Sequence, residues 1–396
     1  MKKKLAIILD QSDIKTCEFN KYTIFDFIKL LGKIDIIDVS NIVKHQDSKD
    51  LFFSNSKQFL IQPNNINELK SILKKENYIL MYCLNNRLRF FSINFLLCRL
   101  RIKKFIVSNV GYNPENYNFH EKQNFFRKLF IFYNFKIINY FIRFLVLLKI
   151  LPSYEFFFES SSYVIDSIKN GISYKIKKKI SFLDFSYYKK IIKINSRSYD
   201  EILRNKSSIS NDYIVFIDGM IFDHHDVVIR TGLPNEKLRE QYYSVLRKFL
   251  NDLQILYEKK VIICLHPSNN FSEKNDDFKG FKIIKFQTVE YINKADVIVF
   301  HEGSSIIQGL AMKKKIINLQ GSFLSNYINM RCEMYVKALN LKKYNLENYT
   351  LETKKVLDSD LIRRCDYYND YIKKNIISEK NITSTQQIID YFNKNI

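Results

Sequence analysis

Three short groups of residues in this chain could do chemistry, and each follows directly on an apolar run. Asp218-Gly219 comes after Tyr213–Ile217 and is trailed by Asp223-His224-His225-Asp226; His266-Pro267-Ser268-Asn269 comes after Val261–Leu265; His301-Glu302-Gly303-Ser304-Ser305 comes after Val297–Phe300. A carboxylate such as Asp218 can take a proton from a hydroxyl, and it equally suits an ordinary strand-end turn. Proline pins the backbone just after His266, so its imidazole is positioned to donate a hydrogen bond or a proton to a departing anion; a purely structural histidine is the alternative. Serines that follow a glycine at a helix start offer hydroxyls and free backbone N–H groups to phosphate oxygens, although Ser304 would also serve as a plain N-cap. His224, His225 and Asp226 crowd together, but adjacent histidines point different ways and no third ligand stands at a suitable spacing. No metal is expected there.

Those groups need strands that end on one rim. The second half alternates strand and helix patterns: strands at Tyr213–Ile217, Val261–Leu265, Val297–Phe300 and Lys315–Leu319, helices at Asn235–Tyr257, Gln287–Asn293 and Ser304–Met312. In an open α/β sheet the carboxyl ends of parallel strands line the ligand crevice, so the three groups should converge. The first half alternates in the same way, with strands at Leu5–Leu9, Ile34–Val39, Tyr78–Tyr82 and Lys104–Ser108 and helices at Thr23–Leu31 and Ile66–Lys75. A polar stretch between Asn195 and Asp212 is the expected boundary, giving domains over 1–200 and 210–396. The last helix, about Ser384 to Asn393, is a candidate to pack back on the first domain.

Composition sets the outer bounds. The chain has 396 residues, 46% of them hydrophobic, with 33 Phe, 26 Tyr, 9 Gly and 5 Pro, which excludes a disordered or collagen-like chain and suits two cores. Net charge is +22, from 63 Lys and Arg against 41 Asp and Glu, which draws the molecule toward polyanions. With no nucleic-acid module and no long basic run, nucleic acid is not the expected partner. Residues 124–151 mix Phe, Ile and Leu with Arg127, Lys128, Lys136, Arg143 and Lys149; the apolar runs are too short for a membrane span, and the mixture fits either a helix on an anionic membrane surface or a buried amphipathic one. The apolar run Leu5–Leu9 is too short for a signal-peptide core, and the six scattered cysteines form no metal or disulfide pattern. A cytoplasmic protein is expected.

Neither GxGxxG nor GxxxxGK[ST] occurs. The order Asp218-Gly219, His266-Pro267, Ser304-Ser305 instead resembles bacterial GT-B glycosyltransferases that use CMP-activated acidic sugars, the sialyltransferases and Kdo transferases of lipopolysaccharide and capsule synthesis. The resemblance covers roughly residues 213 to 320. Lys314-Lys315-Ile-Ile-Asn-Leu is similar to a strand common in GT-B donor domains, without its proline. The resemblance implies an α/β, GT-B-like architecture of two Rossmann-like domains facing a central cleft. It implies Asp218 as general base with Asp223 or Asp226 as substitutes, since Ile217 fills a position where the family usually has a second acid. His266 would assist the leaving phosphate. Gly219, Pro267, Gly303, Ser304 and Ser305 would bind nucleotide and phosphate, with Gln287 and Glu302 as further donor contacts. It implies inverting, metal-independent transfer from a nucleotide sugar to a glycan or lipid-linked glycan, with no cofactor, at the cytoplasmic face of the inner membrane. A CDP-glycerol or CDP-ribitol phosphotransferase, a UDP-sugar transferase and a non-catalytic nucleotide-binding scaffold subunit are the competing expectations.

Overall fold

A computed structural model of the chain describes residues 4–10, 18–32, 34–43, 60–84, 90–108, 144–146, 148–169, 188–205, 210–224, 227–228, 235–269 and 276–395. The described residues fall into two compact units. One holds those up to Asn195 together with Ile382 onward, and the other runs from Ser196 to Asn381. Each is built on its own parallel sheet flanked by helices, so the α/β, two-Rossmann-unit reading of the sequence holds.

In the first unit seven strands lie in the order β3-β2-β1-β4-β5-β6-β7. They are β1 (Lys4–Leu9), β2 (Asp35–Asp38), β3 (Leu60–Ile61), β4 (Tyr78–Tyr82), β5 (Lys103–Ser108), β6 (Tyr154–Glu159) and β7 (Tyr188–Lys193). The apolar run of β4 is buried along its whole length, as a central parallel strand covered on both faces must be. Helix Ile66–Lys75 begins where Asn65 accepts from the N–H groups of Asn67 and Glu68 and ends on Lys74 and Lys75, cations that complement the helix dipole. The chain's last helix, Ser384–Asn395, belongs to this unit: Phe392 lies 5.0 to 5.7 Å, ring to ring, from Phe105, Phe156 and Phe158. Asn195 fastens its start, donating from its backbone N to Gln387 Oε1 and from its side chain to Ile382 O.

In the second unit six strands lie in the order β10-β9-β8-β11-β12-β13: β8 (Tyr213–Ile217), β9 (Val261–Cys264), β10 (Lys282–Ile284), β11 (Ala295–Phe300), β12 (Lys315–Gln320) and β13 (Lys342–Asn345). Helix Glu236–Tyr257 lays Tyr242, Tyr243, Leu246, Phe249, Leu250, Leu253 and Tyr257 into the core, capped at its start by Asn235 and ended by Glu258 in the left-handed conformation. Lys314 donates to the carbonyls of Asn293 and Ala295, and Lys315 pairs with Asp296 and Asp358. The lysine pair that resembles a donor-domain strand is therefore bound to the protein's own oxygens.

One expectation changes. The polar boundary stretch contains helix Arg197–Arg204, capped by Ser196, and this helix belongs to the second unit. Most of segment 124–151 lies outside the described residues; within the described part Leu145, Val146 and Leu151 are buried in the first unit's core. Among the described residues no helix is long and apolar enough to cross a membrane.

Candidate functional site

Strand order fixes where a ligand crevice can form. Chain direction across the second sheet reverses between β8 and β11, which are neighbours, so the loops after these two strands part at the switch point. Asp218-Gly219 leaves β8 there and His301-Glu302-Gly303-Ser304-Ser305 leaves β11. The loops are close: a Cβ on Gly219 would stand 3.0 Å from the Glu302 carbonyl oxygen, tighter than most real Cβ contacts, so a side chain there would push the second loop away. Gly303 turns the second loop at φ +140°, where any side chain is strained.

Asp218 is buried and its oxygens are engaged. Oδ1 accepts from Met220 N at 2.8 Å; Oδ2 accepts from Asn269 Nδ2 at 3.0 Å and from His266 N at 3.5 Å. It thereby ties the loop after β8 to the loop after β9. Burial pushes its carboxyl above the ordinary range, against the pull of those three donors. Lys285, after β10, extends the connection by donating from Nζ to Asn269 O at 2.7 Å.

His266 is half-buried, and its Nδ1 accepts from Ser268 N at 3.2 Å. In the neutral ring the proton then sits on Nε2, so the imidazole presents a donor, the polarity a phosphate oxygen needs. The His224 ring meets it edge-on with centroids 5.1 Å apart. Pro267 is exposed beside it.

Ser304 is exposed and Ser305 half-buried, just before helix Ile306–Ala311. Backbone carbonyls of both accept from Ile307 N and Gln308 N, but Ser305, at the cap position, makes no side-chain cap bond. The helix is only six residues long, so an anion here would rely on the loop's hydroxyls and N–H groups more than on a dipole.

The remaining sequence candidates are placed apart from this centre or committed to other partners. Glu302 forms a 2.6 Å ion pair with Arg331, whose guanidinium lies over the Tyr327 ring and donates to its hydroxyl. Asp223 pairs with Arg239, which also holds Asp277. Gln287 is exposed after β10 and makes no side-chain cap bond. His225 and Asp226 lie outside the described residues. Among the described residues no group of three His, Cys, Asp or Glu side chains could hold a metal ion.

Sequence reasoning named His301 and Asn269 only as members of their groups, without a role, and did not name Lys285. His301 is fully buried; its Nδ1 donates to Leu319 O at 2.8 Å and its Nε2 accepts from the Tyr242 hydroxyl at 2.7 Å. Burial lowers its pKa to about 4, so it stays neutral and locks β11, β12 and the long helix together. Asn269 and Lys285 join the loops after β8, β9 and β10, a relation that sequence spacing does not encode.

No family model matches the chain, and a search of the curated proteins finds no match. Solved structures align along nearly its full length at low identity. The calicheamicin glycosyltransferase CalG4 aligns at 8% identity and a TM-score of 0.47, covering 100% of this chain and 99% of that one. The wall teichoic acid polymerase TagF gives 12% and 0.46, covering 99% and 89%. The UDP-GlcNAc 2-epimerase of Methanocaldococcus jannaschii, in complex with UDP-GlcNAc and UDP, gives 14% and 0.39, covering 99% of each.

Proposed function

We propose that the chain is a GT-B-type glycosyltransferase whose second unit holds a nucleotide-sugar donor. The observation that carries this reading is the meeting of Asp218-Gly219 with Gly303-Ser304-Ser305 at the switch point of the second sheet, with the His266 loop tied to the same carboxylate. The Ser305 hydroxyl, not used for capping, the Ser304 hydroxyl, loop N–H groups and an imidazole Nε2–H together form a donor set for phosphate oxygens.

In this reading the donor is a CMP-linked acidic sugar and the acceptor a glycan or lipid-linked glycan of the cell surface, reached at the cytoplasmic face of the inner membrane. Ser304 and Ser305 hold the phosphate, and His266 donates from Nε2 to the leaving-group oxygen as the glycosidic bond breaks. Asp218 uses three of a carboxylate's roughly four acceptor positions on its own loops and takes the acceptor's proton on the fourth. Its raised pKa makes it a better base, and its hydrogen bonds make it a positioning residue for His266 in the same stroke.

Calorimetry with CMP, CDP, UDP and GDP tests this directly. We expect CMP to bind best, and Ser304→Ala/Ser305→Ala to weaken it by at least about ten-fold, the loss of one or more hydrogen bonds to a charged group. A preference for CDP would replace sugar transfer by polyol-phosphate transfer, a preference for UDP would replace the donor, and no binding to any of the four would overturn the enzyme reading. Nucleotide binding with no turnover on any acceptor would leave a scaffold subunit.

A further inference from the structure

Among the described residues, the first unit carries an apolar surface that no other element covers. Helix Phe91–Arg99 turns Ile93, Leu96 and Leu97 into the core and leaves Phe91 and Phe95 exposed, their rings parallel with centroids 6.4 Å apart. The backbone around Lys149 runs against the same helix face, where Cys98 Sγ donates to Lys149 O at 3.2 Å. There Leu145, Val146 and Leu151 join the core, while Phe144 and Leu148, each about half exposed, and Ile150 face outward. Five large apolar side chains, Phe91, Phe95, Phe144, Leu148 and Ile150, are thus exposed on two segments that touch. A patch of this kind on a folded domain marks a surface for a partner.

Charge says which partner. Arg99 lies 5.9 Å from the Phe95 ring, and Arg101 and Lys149 are exposed at left-handed turns that end the two segments. The sequence around them is biased to one sign: residues 77–114 hold six Lys and Arg and no Asp or Glu, of which Lys104 is buried and Lys103 pairs with Glu155, and residues 122–154 hold six and none. Apolar side chains set beside Arg99, Arg101 and Lys149 complement a bilayer surface in which hydrocarbon lies beneath anionic headgroups. A nucleic acid would meet the cations but would gain nothing from Leu148 and Ile150. We propose that this surface, centred on the Cys98–Lys149 contact, docks the protein on an anionic lipid membrane. The inference rests on the membrane placement in the proposed function but uses no residue of the nucleotide site.

Flotation of the full chain with vesicles of mixed phosphatidylcholine and phosphatidylglycerol, against phosphatidylcholine alone, tests it. The protein should float with the anionic vesicles only and less so as salt is raised. Arg99→Gln/Arg101→Asn should lower partitioning about thirty-fold, the effect of two cations at about 1 kcal/mol each. Phe95→Ser/Leu148→Ser should lower it at least about ten-fold, since each exposed side chain withdraws from hydrocarbon. All four substituted side chains are exposed, so melting curves should be unchanged; Asn suits the left-handed Arg101 position. The proposal is overturned if the wild type does not float, if both variants float as well as it does, if either pair of substitutions turns a dimer into a monomer, or if duplex DNA binds with the same loss in both variants. Calorimetry with nucleotide on the same samples keeps the two proposals apart: vesicle binding lost with nucleotide binding intact bears on this surface alone, and the reverse bears on the donor site alone.

Discussion

Over six strands the two sheets share a strand order and a habit at their carboxyl rims, and the described residues of the rims differ in charge. In each, an aspartate straight after the first strand is buried and bonded to the loop after the second: Asp10 to the Ser40 hydroxyl at 3.1 Å, Asp218 to the Asn269 amide at 3.0 Å. Among the described residues, the first rim continues in acids and neutral donors. Ser40 also lies 2.5 Å from Asp38, so its single proton serves one carboxylate at a time, and Gln62 donates to Asp38 at 2.8 Å. The second rim, where Asp223 and Glu302 are neutralised by Arg239 and Arg331, continues in an amide, a lysine and two imidazoles, Asn269, Lys285, His266 and His224. A phosphate placed among Asp10 and Asp38 meets like charge, while one placed near His266, Ser304 and Ser305 meets donors. One scaffold used twice can thus be assigned an anion on one rim and a hydroxyl-rich ligand on the other by a few loop residues.

Acid should separate the units most strongly. His301, neutral in the folded second unit with its pKa lowered from 6.5 to about 4, contributes stability that is lost as pH falls through that window, on the order of 3 kcal/mol. Glu159, at the end of β6, behaves oppositely: burial raises its pKa from 4.5 to about 7, so the first unit gains stability as pH falls from about 7 to 4.5, by a similar amount. Asp218, raised by burial, offsets part of the second unit's loss. Denaturant titrations at pH 7 and pH 4.5, followed by hydrogen exchange in peptides of each unit, should show the second unit weakening while the first strengthens. Parallel shifts in both would break the contrast, and Glu159→Gln should remove the first unit's gain.

A smaller effect sharpens the comparison with a single substitution made twice. At Asp218, asparagine turns an amide N–H₂ toward donors already in place, Met220 N or the Asn269 and His266 pair, and should cost about 2 kcal/mol. At Asp10, the Ser40 hydroxyl can reverse, accepting from the new amide while it donates to Asp38, so this bond survives Asp10→Asn and the cost should be smaller than at Asp218. Thermal melts of the two variants decide it; equal costs would mean that the two aspartates do the same work.

What was legible in the sequence follows burial. Tyr78–Tyr82, Tyr213–Ile217 and helix Ile66–Lys75 have the ends their patterns imply, because central strands read as unbroken apolar runs and an amphipathic helix as a 3.6-residue stripe. Edge strands carry less signal. β3 has two residues, and β7 holds Lys189, Lys190 and Lys193 among its six, a composition that protects a sheet edge and hides it from a reader of hydrophobicity. Helix Arg197–Arg204 was concealed in a polar stretch, although Ser196 before it and the Arg197–Glu201 pair one turn apart were its local signs. The loops of the candidate site were readable as strand ends. How Asp218 engages its oxygens was not, since Asn269 and His266 stand about fifty residues away and only the sheet brings them together.

The central claim is that the second rim, and not the first, receives the phosphate of a nucleotide. Hydrogen exchange of the wild-type chain with and without saturating CMP measures it: we predict slowed exchange in peptides spanning 216–224, 264–269 and 300–308 and none in those spanning 8–10 and 36–43. Protection at Asp10 and Asp38, with the loops of Asp218, His266 and Ser304 unchanged, would contradict it.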